Sequence, residues 1–166
     1  MENPEQRRMV LEDPSLVPAA VEESLRMFPA FAHFARTTTR DTELHGQRIR
    51  EGEKLVMWYP SSNRDETRYE DPDRFDLTRE AEHQAFGAGG RHFCLGTALA
   101  RLELRILIEE TLKRYPEIQI AGECTHVESA LPTSTRRSRY GCVRCRSSSV
   151  RRRRQAPSTA TSPIQR

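Results

Sequence analysis

The chain has 166 residues, with 27 Lys and Arg against 24 Asp and Glu and a formal net charge of +3. That length suits one ordinary domain or part of a larger one, and a composition 36% hydrophobic and 31% charged is lean for a self-sufficient core. No apolar run reaches the roughly 18 residues a membrane span needs, and the start Met1-Glu2-Asn3-Pro4 is too polar for a signal peptide, so secreted and membrane-spanning classes are disfavoured and a cytoplasmic protein is expected.

The first clear element is a helix from Val17 to Phe28, after the turn Asp13-Pro14-Ser15 and before Pro29. Val21, Leu25 and Phe28 give it an apolar face. Glu23 and Arg26 lie three apart and can meet on one side; alone, such a pair reads as a surface contact worth little. From Arg36 to Tyr59 the pattern is one of short strands, with turns at His45-Gly46 and Glu51-Gly52 and a buried strand at Leu55-Val56-Met57-Trp58-Tyr59. Residues 60–76 are polar, too poor in apolar residues for core, and are expected to wrap the surface or serve a site. A second helix is expected from Leu95, Leu99, Leu102 and Ile106 to about Tyr115, then a short strand Ile118-Gln119-Ile120.

The segment entering that helix carries the chemistry: Phe86-Gly87-Ala88-Gly89-Gly90-Arg91-His92-Phe93-Cys94-Leu95-Gly96. A phosphate-binding loop would need a Gly-Lys-Ser/Thr ending and a strand leading in, and neither is present. The other reading puts the cysteine sulfur at the helix start, where backbone N–H groups and the helix dipole favour a thiolate. Glycines around it would let a flat, bulky group approach the backbone, which suits a metal ligand.

This loop resembles the haem-binding segment of the cytochrome P-450 family, the haem-thiolate monooxygenases, through Phe86, Gly87, Gly89, Gly90, His92, Cys94, Gly96, Leu99, Ala100 and Arg101. Phe86 stands one place further from the cysteine than in the commonest form. The family's Glu-x-x-Arg helix is matched by Glu23 and Arg26, and its Pro-x-Arg-Phe segment by Pro72, Arg74 and Phe75. The resemblance covers about Asn3 to about Glu128. It implies Cys94 as axial thiolate ligand of the iron of haem b. It also implies Arg36 and His92 as partners of the haem propionates, Phe86, Phe93 and Gly96 as haem neighbours, and Glu23, Arg26 and Arg74 as one structural ion network. Trp58, Met57 and Tyr59 are expected in the core. No catalytic residue beyond the haem ligand is carried over.

The implied fold is mainly α with small β-sheets (α+β), the C-terminal, proximal-haem half of the family's fold. The implied partners are a hydrophobic substrate, lipid- or steroid-like, and a ferredoxin or similar electron donor on the Cys94 side. The loop after Pro29 (Ala30, Phe31, Ala32, His33) stands where the family borders its substrate pocket. The family's oxygen-binding helix with its acid–alcohol pair has no counterpart in these 166 residues. The expectation is therefore a partial domain over residues 1–131, with weak haem binding and no turnover.

Residues 132–166 depart from the resemblance. Ten arginines and no acidic residue fall between 133 and 166, leaving the rest of the chain with 17 basic against 24 acidic residues, a net of −7. An Arg/Ser-rich stretch of this kind does not fold on its own, and a disordered or frameshifted tail beginning near Leu131 is expected. The alternative is a non-catalytic protein, with a zinc set of Cys124, His126, Cys142 and Cys145 or a tail binding nucleic acid through phosphate charge. One aromatic, Tyr140, is too few for base stacking, and no nucleic acid is expected.

Overall fold

A computed structural model describes residues 3–120 without a break, and beyond them the short strands 125–126, 135–136 and 143–145. Pro4 occupies the first turn of α1 (Pro4–Glu12), where its missing N–H costs nothing. Asp13 ends that helix, and its side chain accepts the Ser15 amide at 2.9 Å in the turn leading to α2 (Val17–Met27). Helix α1 was not evident in the sequence: only Val10 of its nine residues is buried, so its apolar periodicity is faint.

Helix α2 is the centre of the described structure. One side packs Val17 and Ala20 with Val10, Leu77 and Leu112. The next turns pack Val21 and Leu25 with Ala85, Phe86 and Leu104, and Ile108 joins both clusters. Each fully buried Val or Leu contributes about 1.5–3 kcal/mol. The partner helix is α4 (Thr97–Arg114), which ends, as expected, just before Tyr115.

Two expectations about apolar faces change here. Phe28 does not continue the buried face of α2 but is 62% exposed, because the helix ends at Met27 and the chain turns away. The stripe Leu95, Leu99, Leu102 and Ile106 is also exposed, Leu95 completely. The side of α4 that packs on α2 instead presents Leu104, Ile108 and Leu112. Helical spacing singled out the first row as apolar, but the sequence did not show that this chain covers the other one instead.

The β elements are small and antiparallel. Strand β1 (His33–Thr37) pairs with β4 (Lys54–Trp58), Arg36 opposite Leu55, and β2 (Thr42–Leu44) pairs with β3 (Gln47–Ile49). His45 and Gly46 make that hairpin turn with positive φ at both residues, the geometry a two-residue loop demands. Trp58 is 55% exposed and stacks on His33 rather than entering the core, since a two-stranded sheet has no second layer to bury it. A single turn, α3 (Tyr59–Ser62), follows. Strand β5 (Ile118–Ile120) pairs with β8 (Val143–Cys145), and β6 (Thr125–His126) with β7 (Thr135–Arg136). Two of these short strands fall within residues 132–166, and the rest of that stretch lies outside the described residues, as do Cys124 and Cys142 of the zinc set. The architecture is α+β. Among the described residues no helix is long and apolar enough to cross a membrane.

Candidate functional site

The polar segment 60–76 does serve a site, and its target is buried charge. Glu23 and Arg26 are both fully buried on α2. Arg26 donates through Nε and Nη2 to the two oxygens of Glu23, at 2.7 and 2.8 Å. Its remaining N–H groups reach the carbonyls of Asn63 (2.8 Å), Pro72 (2.7 Å) and Arg74 (3.1 Å). A guanidinium has five N–H donors, and all five find acceptors here. The Glu23 carboxylate raises the Arg26 pKa further, against the opposing effect of burial. Glu23 also accepts the Asp76 amide at 2.9 Å.

Arg74 enters this network differently from the sequence expectation. Its guanidinium is exposed, and only its main-chain carbonyl takes part. The side chain that approaches Glu23 is Arg79, with Nε 3.7 Å from Oε1, and its guanidinium also lies 5.8 Å from the Tyr69 ring. Arg79 carried no separate signal in a sequence rich in arginine.

Asn63, also missed, is fully buried. It donates to the Arg26 carbonyl at 3.0 Å and accepts the Gln84 amide at 2.7 Å. Beside it Arg64 donates to the Met27 carbonyl at 2.8 Å. Two of the carbonyls that end α2 unsatisfied are thereby covered. Asn63 also ties the helix to the segment that leads into the cysteine loop.

That loop is closed by the Cys94 amide donating to the Phe86 carbonyl at 3.1 Å. Gly89 and Gly90 have φ of +99° and +74°, conformations that L side chains rarely adopt. Gly96 is different: its φ is −79°, so the backbone does not demand glycine. A Cβ there would stand 3.7 Å from Cys94 Sγ, in the space beside the sulfur. At the entrance to α4 the Thr97 hydroxyl donates to the Cys94 carbonyl at 2.6 Å and fixes the backbone of the cysteine.

Cys94 itself is a free, exposed thiol. The backbone N–H groups expected to hold its sulfur do not reach it: no described residue forms a hydrogen bond with Sγ. Phe93, Leu95 and Leu99, nearby in sequence, are exposed apolar side chains. His92, in a 3-10 turn over Gly90–His92, is exposed. Arg36 is exposed on β1, its guanidinium bonded only to the Ala35 carbonyl at 3.0 Å. Neither has a carboxylate partner among the described residues. Phe86 is half-buried, with the Arg101 guanidinium 4.9 Å from its ring. The donor set fits a haem: an unpartnered sulfur, apolar and aromatic side chains beside it, room at Gly96, and the Arg36 guanidinium and His92 ring free to meet carboxylates. Among the described residues no group of three or more His, Cys, Asp or Glu could hold a bare metal ion.

A buried Glu-x-x-Arg pair joined to a glycine-rich loop that ends in an exposed cysteine at a helix start defines a haem-thiolate class of protein. Comparison with known proteins agrees. The profile of the family Cytochrome P450 matches residues 9–126, and the chain belongs to that family, whose cofactor is haem b. It is 42% identical over 121 residues to Cytochrome P450-terp of a Pseudomonas species, covering 72% of this chain and 28% of that protein. A Methyl-branched lipid omega-hydroxylase of Mycobacterium tuberculosis is 44% identical over 122 residues, again 72% of this chain and 28% of the relative. Among solved structures, CYP109E1 from Bacillus megaterium in complex with testosterone superposes with a TM-score of 0.77 at 32% identity, covering 86% of this chain and 39% of that one. The chain thus spans about a third or less of the length of the curated relatives it matches, 28% in the two compared above.

Proposed function

We propose that this chain is the thiolate-bearing part of a haem-thiolate monooxygenase, with Cys94 Sγ as axial ligand of the haem b iron. The whole enzyme would insert one oxygen atom from O2 into a hydrophobic substrate, with electrons from a ferredoxin or similar donor in the cytoplasm. The observation that carries this reading is the free sulfur of Cys94, exposed and without a protein partner inside a loop that spends three positive-φ glycines on its shape. A bound haem would supply the oxidising chemistry, since an axial thiolate pushes electron density onto iron and favours O–O cleavage.

The chain's own residues orient and hold. Arg36 supplies a cation and His92 a ring N–H donor for two propionates, and Phe86, Phe93 and Gly96 supply apolar surface and clearance. Glu23, Arg26 and the Arg74 carbonyl keep α2 and the polar segment rigid behind them. A lipid- or steroid-like substrate is supported by the relatives, which include a Methyl-branched lipid omega-hydroxylase and a Steroid C26-monooxygenase. It is supported too by exposed Phe31 and Phe34 beside Pro29. These 166 residues alone would hold haem on a wet, one-sided surface, so weak binding and no turnover are expected.

Titration of the purified chain with excess haem tests the ligand. A Soret band and a ferrous–CO band near that of intact family members should appear, be lost in Cys94→Ala and persist in Cys142→Ala. Equal spectra for wild type and Cys94→Ala would overturn the assignment.

A further inference from the structure

One cluster of charge has no part in the reading above. Glu22, next to the buried pair on α2, receives Arg101 Nε on Oε1 at 2.6 Å and Arg101 Nη2 on Oε2 at 2.7 Å. This is the two-pronged geometry in which arginine binds carboxylate best. The Nε2 of His83, whose side chain is 3% exposed, lies 3.1 Å from the same Oε2. The Ala85 amide donates to His83 Nδ1 at 3.2 Å. Nδ1 therefore carries no hydrogen, and Nε2 donates to Glu22. Both partners of Glu22 also meet one ring: the Arg101 guanidinium lies 4.9 Å from the Phe86 centroid, and the His83 ring 5.7 Å from it. The Phe86 carbonyl is the acceptor that closes the cysteine loop on the Cys94 amide.

These contacts run unbroken from α2 to the sulfur-bearing residue. The geometry points to Glu22 as a positioning residue for the cysteine loop: its carboxylate gathers Arg101 and His83 against Phe86, and Phe86 holds the Cys94 backbone. An ordinary exposed ion pair makes no such chain. Arg105–Glu109, on the same helix α4, shows the contrast: one contact at 2.8 Å, between exposed side chains four residues apart. The three segments tied by Glu22 are those whose mutual placement sets where Cys94 stands. The role matters to haem only through the proposed function, but its existence is a property of the haem-free chain.

Hydrogen exchange on the haem-free full chain reads it directly. In Glu22→Ala and in Arg101→Lys, which keeps the charge and loses the fork, the Cys94 amide should exchange about tenfold faster through local opening. The Phe28 amide, bonded to the Ser24 carbonyl at the end of α2, should keep its wild-type rate, and Glu109→Gln should change neither. An unchanged Cys94 amide in both variants would overturn the proposal. So would equal acceleration throughout α2 and α4, which would make Glu22 a general prop of the fold. With haem added, both variants should shift the ferrous–CO band away from the thiolate-ligated position. If the chain takes up no haem while both variants show the local acceleration, the haem assignment fails and the positioning role stands.

Discussion

Arg26 shows how little of a buried charge is visible in its sequence neighbourhood. Its spacing from Glu23 is readable, since residues three apart share a helix face. Its other acceptors are main-chain carbonyls of residues 63, 72 and 74, and a carbonyl has no side-chain signature. For the same reason Arg74 was legible as a position but not as a contact, and Arg79 went unnoticed. Because every N–H of Arg26 is used in a site without solvent, its replacement leaves the buried Glu23 side chain with only the Asp76 amide and the more distant Arg79 guanidinium as partners. Arg26→Ala should cost about 3–5 kcal/mol, the usual penalty for breaking a buried pair. Arg26→Lys should recover only part of this, because an ammonium cannot reproduce the planar fork. Urea unfolding followed by circular dichroism would show both; a loss below about 1 kcal/mol, typical of a surface pair, would contradict the burial.

At the scale of elements, legibility followed amphipathicity and capping. Helices α2 and α4 and the β1–β4 region were readable because apolar spacing and flanking Pro or Gly residues bound them. Helix α1 was not, because its contribution to the core is one buried valine with Met9 packed beside it, and its other ties are the Leu77 amide on Gln6 at 2.9 Å and Arg7 on the Ile118 carbonyl at 2.9 Å. The cysteine loop was the most legible part of the candidate site, since glycines and a cysteine state their chemistry directly. How that loop is held was not legible, because Asn63 and His83 look like ordinary polar residues in turns. Asn63 supplies an element-level test, joining the C-terminal end of α2 to Gln84. Asn63→Ala strands a buried carbonyl and a partly buried amide and should cost about 1–3 kcal/mol. Hydrogen exchange should then quicken first at the Gln84 amide, and an unaltered rate there would show that the link carries no load.

The whole molecule should respond to acid through the junction where α2, α4 and the approach to the cysteine loop meet. His83 faces the Glu22 carboxylate, and that carboxylate also holds Arg101. Burial pushes the His83 pKa below its ordinary 6.5, outweighing the pull of Glu22. The folded chain therefore keeps this ring neutral, with Nδ1 occupied by the Ala85 amide, while the unfolded chain takes up a proton as pH falls through 6.5. The unfolded state binds more protons in that window, so stability must decline from about pH 7 downward and the contribution is fully present above it. Glu22 acts lower on the scale: the Arg101 hydrogen bonds hold its carboxyl below the ordinary 4.5, so its contribution is present above that value and lost as pH falls further. Urea midpoints measured from pH 8 to about pH 2 should fall in two successive stages. His83→Gln, which cannot titrate, should flatten the upper stage and leave the lower one in place. A midpoint that rises between pH 7 and pH 5 would mean that His83 is protonated in the folded chain, with Glu22 prevailing over burial.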